Sequence, residues 1–149
     1  MSRHTARIHA MNLVFQLPFH PERSGDELCS AVEQYIADLP DLQEHLRGLT
    51  PDDEERGFIS GQALGVFGRL AEIDGLIEER LRDWDFGRIA KIDLSLLRLA
   101  VFEMRYSDDV STATAINEAV ELAKLYGTEE SPAFINGILG QIALVEAGP

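Results

Sequence analysis

Apolar residues along this 149-residue chain recur at the three- and four-residue spacing of α-helices, and the alternation typical of strands is absent. The pattern predicts seven helices: residues 5–17, 24–40, 51–68, 73–81, one that carries 94–104, 112–126 and one that starts at 131. The fifth is apolar around most of its circumference, so it should be central. We therefore expect an all-α single domain of two small helical bundles, at about residues 1–83 and 84–149.

Capping signals predict where several helices begin and end. Ser24-Gly-Asp-Glu27 has the form of a capping box, so a helix should start there, and Pro40 should end it. Thr50-Pro51 and Ser131-Pro132 are each typical of an N-cap followed by the first helical residue. Gly127 suits a left-handed cap at the end of the sixth helix.

Four glycines, at positions 57, 61, 65 and 68, lie in the third predicted helix. Each glycine costs a helix up to ~1 kcal/mol relative to alanine, so another interaction should compensate. The usual reason is close approach by a neighbouring helix, which we expect here.

The formal net charge of −13 argues against a protein that coats nucleic acid by charge alone. The charge is unevenly distributed, since residues 1–21 contain Arg3 and Arg7 and no acidic residue, which leaves −15 for the rest. A basic first helix could select where an RNA touches the protein. The alternative is that Arg3 and Arg7, four residues apart, form an ordinary solvated helix face.

Composition also limits the compartment and the chemistry. No apolar run is long enough to span a membrane, and the first residues lack a signal peptide's apolar segment, so we expect a cytoplasmic protein. The single cysteine, Cys29, is expected to be a small core residue. Metal-binding, cofactor-binding and nucleotide-binding motifs are absent from the sequence, which predicts a protein without cofactor or enzymatic activity.

Three segments together resemble the NusB family of bacterial transcription antitermination factors. The first is AINEAVELAKLYGTEESPAFINGIL, from Ala115 to Leu139. The second is ID-x-x-LLRLAVFEM, from Ile92 to Met104, and the third is the pattern A-R-x-x-A-x-x-L-x-F-Q, from Ala6 to Gln16. The likeness covers both ends of the chain and is weakest between about residues 18 and 52.

The resemblance implies a seven-helix protein that binds the single-stranded boxA element of ribosomal RNA operon leaders. It implies that the protein acts with NusE, a ribosomal small-subunit protein, and joins RNA polymerase with NusA and NusG to suppress premature termination. It leaves open a homodimer. The alternative is a helical protein-interaction module of the same fold that does not bind RNA.

The resemblance places RNA-binding roles on Arg3, His4 and Arg7 at the start of the first helix, and on Lys124 and Glu130 near the last helix corner. Lys124 also lies where a cation suits a helix C-terminus, and Glu130 where a carboxylate suits a helix N-terminus. We expect Glu130 to tune RNA affinity, so that Glu130→Gln binds RNA more tightly.

The resemblance places contacts with NusE on Phe15, Asp93 and Phe134. Each of the last two has an alternative role. Asp93 could be the N-cap of the central helix, and Phe134, one turn before Ile138, could belong to the core. The corner between the last two helices is therefore predicted to direct Glu130 toward RNA and Phe134 toward a protein.

Overall fold

A computed structural model describes residues 1–42, 51–82 and 85–146, with side chains described for 1–40, 51–82 and 85–146. These ranges contain seven α-helices and two 3-10 turns and no strand, so the predicted all-α class is confirmed. The helices are α1 (Arg3–Gln16), α2 (Gly25–Leu42), α3 (Asp53–Gly68), α4 (Leu70–Glu78), α5 (Lys91–Tyr106), α6 (Thr112–Tyr126) and α7 (Ser131–Glu146). The 3-10 turns are Leu17–Phe19 and Phe86–Arg88.

The chain divides into two compact units after Phe67. The sequence pattern predicts this boundary near residue 83. The difference is α4, which packs against α5 and α7 and so belongs to the second unit. Hydrophobic periodicity identifies the buried face of a helix, but it does not say which neighbour covers that face.

The first unit has an aliphatic core contributed by α1, α2 and α3. α1 begins two residues earlier than predicted, because the hydroxyl of Ser2 accepts a hydrogen bond from the backbone N–H of Thr5 at 3.0 Å and caps the helix. The buried core side chains are Ala6, Leu13, Leu17, Val32, Ile36, Leu39, Ile59 and Ala63.

The second unit is built around α5, which contacts α4, α6 and α7, so its predicted central position is confirmed. Arg98 of α5 and Asp74 of α4 form two parallel hydrogen bonds of 2.8 Å, from Nε to Oδ1 and from Nη2 to Oδ2. Both side chains are largely buried, which makes this the kind of ion pair whose loss is costly.

The capping box at Ser24 is present, with the backbone N–H of Glu27 donating to the Ser24 hydroxyl at 3.2 Å. The prediction that Pro40 ends α2 is wrong, because the helix continues to Leu42. Proline removes one hydrogen bond to the carbonyl of Ile36, and so close to the end of the helix the burial of Ile36 and Leu39 offsets that loss.

Asp52 caps the third helix, and the predicted N-cap, Thr50, lies outside the described residues. The backbone N–H of Glu55 donates to Asp52 Oδ1 at 2.8 Å, and the N–H of Asp52 donates to Glu55 Oε1 at 3.3 Å. The hydrogen bond from Glu55 lowers the pKa of the Asp52 carboxyl. α4 runs from Leu70 to Glu78 and so ends earlier than its predicted boundary at residue 81.

Two expectations about small residues need correction. The expected close approach of a neighbouring helix is wrong at Gly57, Gly61 and Gly68, because a Cβ atom added at any of them would meet nothing within 4 Å. Cys29 is exposed on α2 and does not belong to the core. Among the described residues, none of the helices is long and apolar enough to cross a membrane.

Candidate functional site

The two arginines of α1 converge on one aromatic ring of α3. The guanidinium carbon of Arg3 lies 4.0 Å from the centre of the Phe58 ring, and that of Arg7 lies 5.6 Å from it. Arg7 is only 7% exposed, so the alternative of a fully solvated helix face is wrong for Arg7. Cation–π contacts with Phe58 therefore hold the side chains of Arg3 and Arg7 in place.

Arg3 also contacts an acidic residue of α3. Its Nη2 atom lies 3.5 Å from Glu54 Oε1, and both side chains are exposed to solvent. Arg3 and Glu54, with Asp52 and Glu55, line a cavity of about 240 Å³ at this end of the first unit. Part of the positive charge that α1 contributes is thus balanced by the protein's own carboxylates.

The other predicted residues of α1 are partly buried. His4 is half-buried on the same helix as Arg3. Phe15 packs edge to face with Phe19, at a distance of 5.7 Å between ring centres, and Phe19 is 52% exposed. The two rings give the first unit an aromatic surface that includes one of the predicted contacts with a protein partner.

The corner between α6 and α7 is tight for a reason that differs from the predicted one. Gly127 has φ −93° and ψ −163°, an extended conformation, so the expected left-handed cap is wrong. A Cβ atom on Gly127 would lie 2.5 Å from Ser131 Oγ and 2.9 Å from the carbonyl oxygen of Ala123. Glycine is required here because the start of α7 folds closely against the end of α6.

The prediction that Ser131 is the N-cap of α7 is wrong, because Ser131 is the first residue of the helix. Its buried hydroxyl instead accepts a hydrogen bond from the backbone N–H of Thr128 at 2.9 Å. Glu130 directly precedes α7, and its carbonyl accepts a hydrogen bond from the N–H of Phe134 at 3.1 Å. The Thr128 hydroxyl donates to the Glu130 carboxylate at 3.1 Å, so the corner holds this side chain on its surface.

Three of the predicted residues meet at one cavity of the second unit. Asp93, Glu130 and Phe134 line a space of about 430 Å³, although α5, the corner before α7 and α7 contribute them from distant parts of the sequence. Arg88, Ile89, Ala90 and Thr128 complete the lining. Glu130 and Phe134 are therefore within reach of the same occupant.

Asp93 has an unsatisfied acceptor at this cavity. It lies in the first turn of α5, and Ala90 occupies the N-cap position, so the N-cap alternative for Asp93 is wrong. Asp93 is only 8% exposed, and its Oδ1 atom accepts no hydrogen bond from any described residue. A buried carboxylate oxygen without a donor is costly.

Lys124 and its neighbours form an exposed surface beside the corner. Lys124 pairs with Glu121 at 2.9 Å, one turn earlier on α6. Leu125 and Tyr126 follow it and are 63% and 45% exposed. Phe134 is half-buried and lines the cavity, so the core alternative does not account for all of its surface.

Sequence reasoning missed three residues of these sites: Glu54, Phe58 and Arg88. Glu54 and Phe58 are four residues apart, which places them on one face of α3. This spacing is the sequence feature from which their joint role could have been predicted. Their partner Arg3 is 51 residues away from Glu54, and no local pattern indicates such a pairing. Among the described residues, no group of three potential metal ligands occurs.

Comparisons with known proteins agree with these features. The NusB family model matches residues 4–144. The transcription antitermination protein NusB of Carboxydothermus hydrogenoformans is 44% identical over 96% of this chain and 93% of its own length. That of Acetivibrio thermocellus is 42% identical over 98% of this chain and 91% of its own length.

Solved structures show the same fold. T. maritima NusB superposes with a TM-score of 0.79 at 30% identity, covering 97% of this chain and 92% of that one. The antitermination factors NusB and NusE in complex with double-stranded RNA provide a match with a TM-score of 0.75 at 20% identity, covering 97% and 99%. With a family match over nearly its whole length, this chain belongs to the NusB family of transcription antitermination proteins, which are not enzymes.

Proposed function

We propose that this protein binds boxA-type single-stranded RNA together with NusE and joins RNA polymerase, NusA and NusG in antitermination on ribosomal RNA operons. Membership of the NusB family supports the antitermination role. The NusB–NusE–RNA complex, a structural neighbour, supports the two classes of partner. The observation that carries the proposal is the cavity where Asp93, Glu130 and Phe134 meet.

The chemistry of this cavity suits a protein segment better than a phosphate. Asp93 and Glu130 are carboxylates, which repel a phosphate but accept hydrogen bonds from backbone amides and from basic side chains. Phe134 offers an aromatic surface of the kind that dominates interface energies. In the proposal, NusE donates a hydrogen bond to the carboxylate of Asp93 and covers Phe134. On the first unit, the aromatic surface of Phe15 and Phe19 is proposed as a separate contact with NusE.

The RNA contact uses Arg3, His4 and Arg7 of α1 and the surface around Lys124. Because few cations are available, we expect a shallow salt dependence. With two or three phosphates neutralised, the log–log slope for single-stranded RNA should be roughly −1.4 to −2. NusE should therefore supply a substantial part of the affinity.

The test is fluorescence anisotropy of a labelled boxA RNA titrated with this protein alone and with equimolar NusE from the same organism, at two salt concentrations. Binding that tightens with NusE and weakens modestly with salt is the expected result. Phe134→Ala should weaken NusE binding by a factor of about 30. Leu144→Ala is the matched control, because Leu144 is 76% exposed on the same helix and does not line the cavity.

The second candidate function is the protein-interaction module without RNA binding. The ion pair between Arg3 and Glu54 favours this module, since it neutralises positive charge that could otherwise bind an RNA phosphate. The same titration separates the two functions. NusE binding without RNA binding at either salt concentration would establish the module and reject the RNA-dependent role.

A further inference from the structure

Arg3 is held by two residues of α3 that lie one turn apart. Its guanidinium carbon lies over the Phe58 ring, 4.0 Å from the ring centre, while Nη2 lies 3.5 Å from Glu54 Oε1. The first contact is made with the aromatic ring, and the second is a hydrogen bond from an N–H at the edge of the guanidinium group. The edge partner can therefore change while the ring contact remains.

The neighbouring carboxylates at this end of α3 are engaged elsewhere. Asp52 and Glu55 bind each other's backbone N–H groups as a capping box. Asp53 pairs with Arg56 at 2.6 Å. Glu54 is thus the carboxylate that contacts Arg3 within the part of the chain that the structure describes.

We propose that Glu54 competes with an RNA phosphate for Arg3 and so sets the RNA affinity of α1, an inference that rests on the proposed function. Carboxylate and phosphate oxygens accept hydrogen bonds from the same edge of a guanidinium group. The Arg3–Glu54 pair is long and solvent-exposed, and pairs of this kind are weak, so a phosphate can displace Glu54.

The competition acts on the RNA backbone and not on the bases. Phosphate contacts position an RNA without reading its sequence. Glu54 should therefore lower the affinity for boxA RNA and for an RNA of scrambled sequence by the same factor. Phe58 keeps the guanidinium group of Arg3 at one place during the exchange, so α3 supplies both the positioning residue and the competitor.

The experiment compares Glu54→Gln with the matched control Asp53→Asn. Both variants remove one negative charge from the first turn of α3, so their effects on helix stability should be similar. Only Glu54 contacts Arg3, since Asp53 pairs with Arg56. Equal melting temperatures of the two variants, followed by circular dichroism, establish that both are folded.

We expect Glu54→Gln to bind RNA about twofold to fivefold more tightly at low salt, whereas Asp53→Asn binds like the unmodified protein. The salt slope of Glu54→Gln should become steeper by up to about 0.7, because Arg3 then acts as a full additional cation. In an Arg3→Ala background, Glu54→Gln should have no effect on RNA affinity. This last result would show that Glu54 acts through Arg3.

Three outcomes would overturn the inference. If the protein binds RNA but Glu54→Gln leaves both affinity and slope unchanged, Glu54 does not compete, and the proposed function remains. If Asp53→Asn tightens binding as much as Glu54→Gln, the effect is one of net charge. If no variant binds RNA with or without NusE, the proposed function is rejected and the competition with it.

Discussion

Arg3 of the first unit and Asp93 of the second both lie in the first turn of a helix, but only Arg3 forms an ion pair with a described residue. Arg3 contacts Phe58 and Glu54, so its charge is engaged within the protein. Asp93 is buried beside a cavity, and its Oδ1 atom has no donor within the described ranges. Before a partner binds, the charged group of the first site therefore already has a partner within the protein, whereas that of the second site has none among the described residues.

This difference determines how each site gains from a partner. A ligand of Arg3 must replace an existing contact, so the net gain is small and depends on salt. A ligand of Asp93 does not have to replace an ion pair with a described residue, so more of the new interaction is gained. We expect the first unit to modulate affinity and the second to supply most of the binding energy.

The largest expected effect compares two arginine–carboxylate pairs. Arg98→Ala should lower the free energy of unfolding by about 3 kcal/mol, because it leaves Asp74 largely buried without its partner. Arg3→Ala should cost less than about 1 kcal/mol, because its pair with Glu54 is exposed. Urea unfolding followed by circular dichroism measures both. Equal losses would contradict the distinction between the units.

The next prediction concerns the tight corner beside the cavity. Gly127→Ala should destabilise the protein by about 2 kcal/mol, since the new Cβ atom would lie 2.5 Å from Ser131 Oγ. Gly137→Ala is the control, because a Cβ atom there meets nothing within 4 Å and alanine favours a helix interior by up to ~1 kcal/mol. Thermal melting of both variants gives the comparison. A stabilising effect of Gly127→Ala would mean that the corner is not tightly packed.

A smaller effect is expected from the ring that holds the arginines. Phe58→Leu keeps an apolar side chain but removes the cation–π contacts with Arg3 and Arg7, so RNA affinity should fall by a factor of about 2 to 5. Phe102→Leu, at a half-buried position in the second unit, is the control and should leave RNA affinity unchanged. Anisotropy titrations measure both. A similar loss in the two variants would rule out a specific role for Phe58.

The smallest effect is a pH dependence that belongs to the first unit. Burial lowers the pKa of His9 below 6.5, and its Nδ1 lies 3.0 Å from the Tyr35 hydroxyl. The unfolded chain therefore binds a proton more readily than the folded one, and stability should fall as pH decreases below about 6.5. Urea unfolding at pH 7.5 and 5.5 measures this slope. His9→Gln should flatten it, and His20→Gln, at an exposed position, should not.

Helix number and type could be predicted from the sequence, because each depends on local periodicity and capping. The Ser24–Glu27 box, for example, forms as its spacing implies. The errors arose where tertiary contacts outweigh a local signal. α2 passes through Pro40 because Ile36 and Leu39 near its end are buried. Gly127 is glycine because of a close approach and not because of its φ angle.

The candidate site could be predicted only in part. The residues Asp93, Glu130 and Phe134 came from resemblance to a family, and the structure brings them to one cavity. Arg88 and Phe58 were missed, because nothing in the local sequence of an exposed arginine or a helical phenylalanine indicates its neighbours. Whether these residues bind RNA and NusE stays a prediction for the experiments above.

The sequence by itself determined seven amphipathic helices and an uneven distribution of charge, since these depend on residue order alone. It also carries the segments by which the chain belongs to the NusB family. Only the tertiary structure decided that Arg3 meets Glu54 and that Asp93 keeps an acceptor free at a cavity. The physical reason is that such contacts join residues far apart in the chain, and their geometry depends on how whole helices pack.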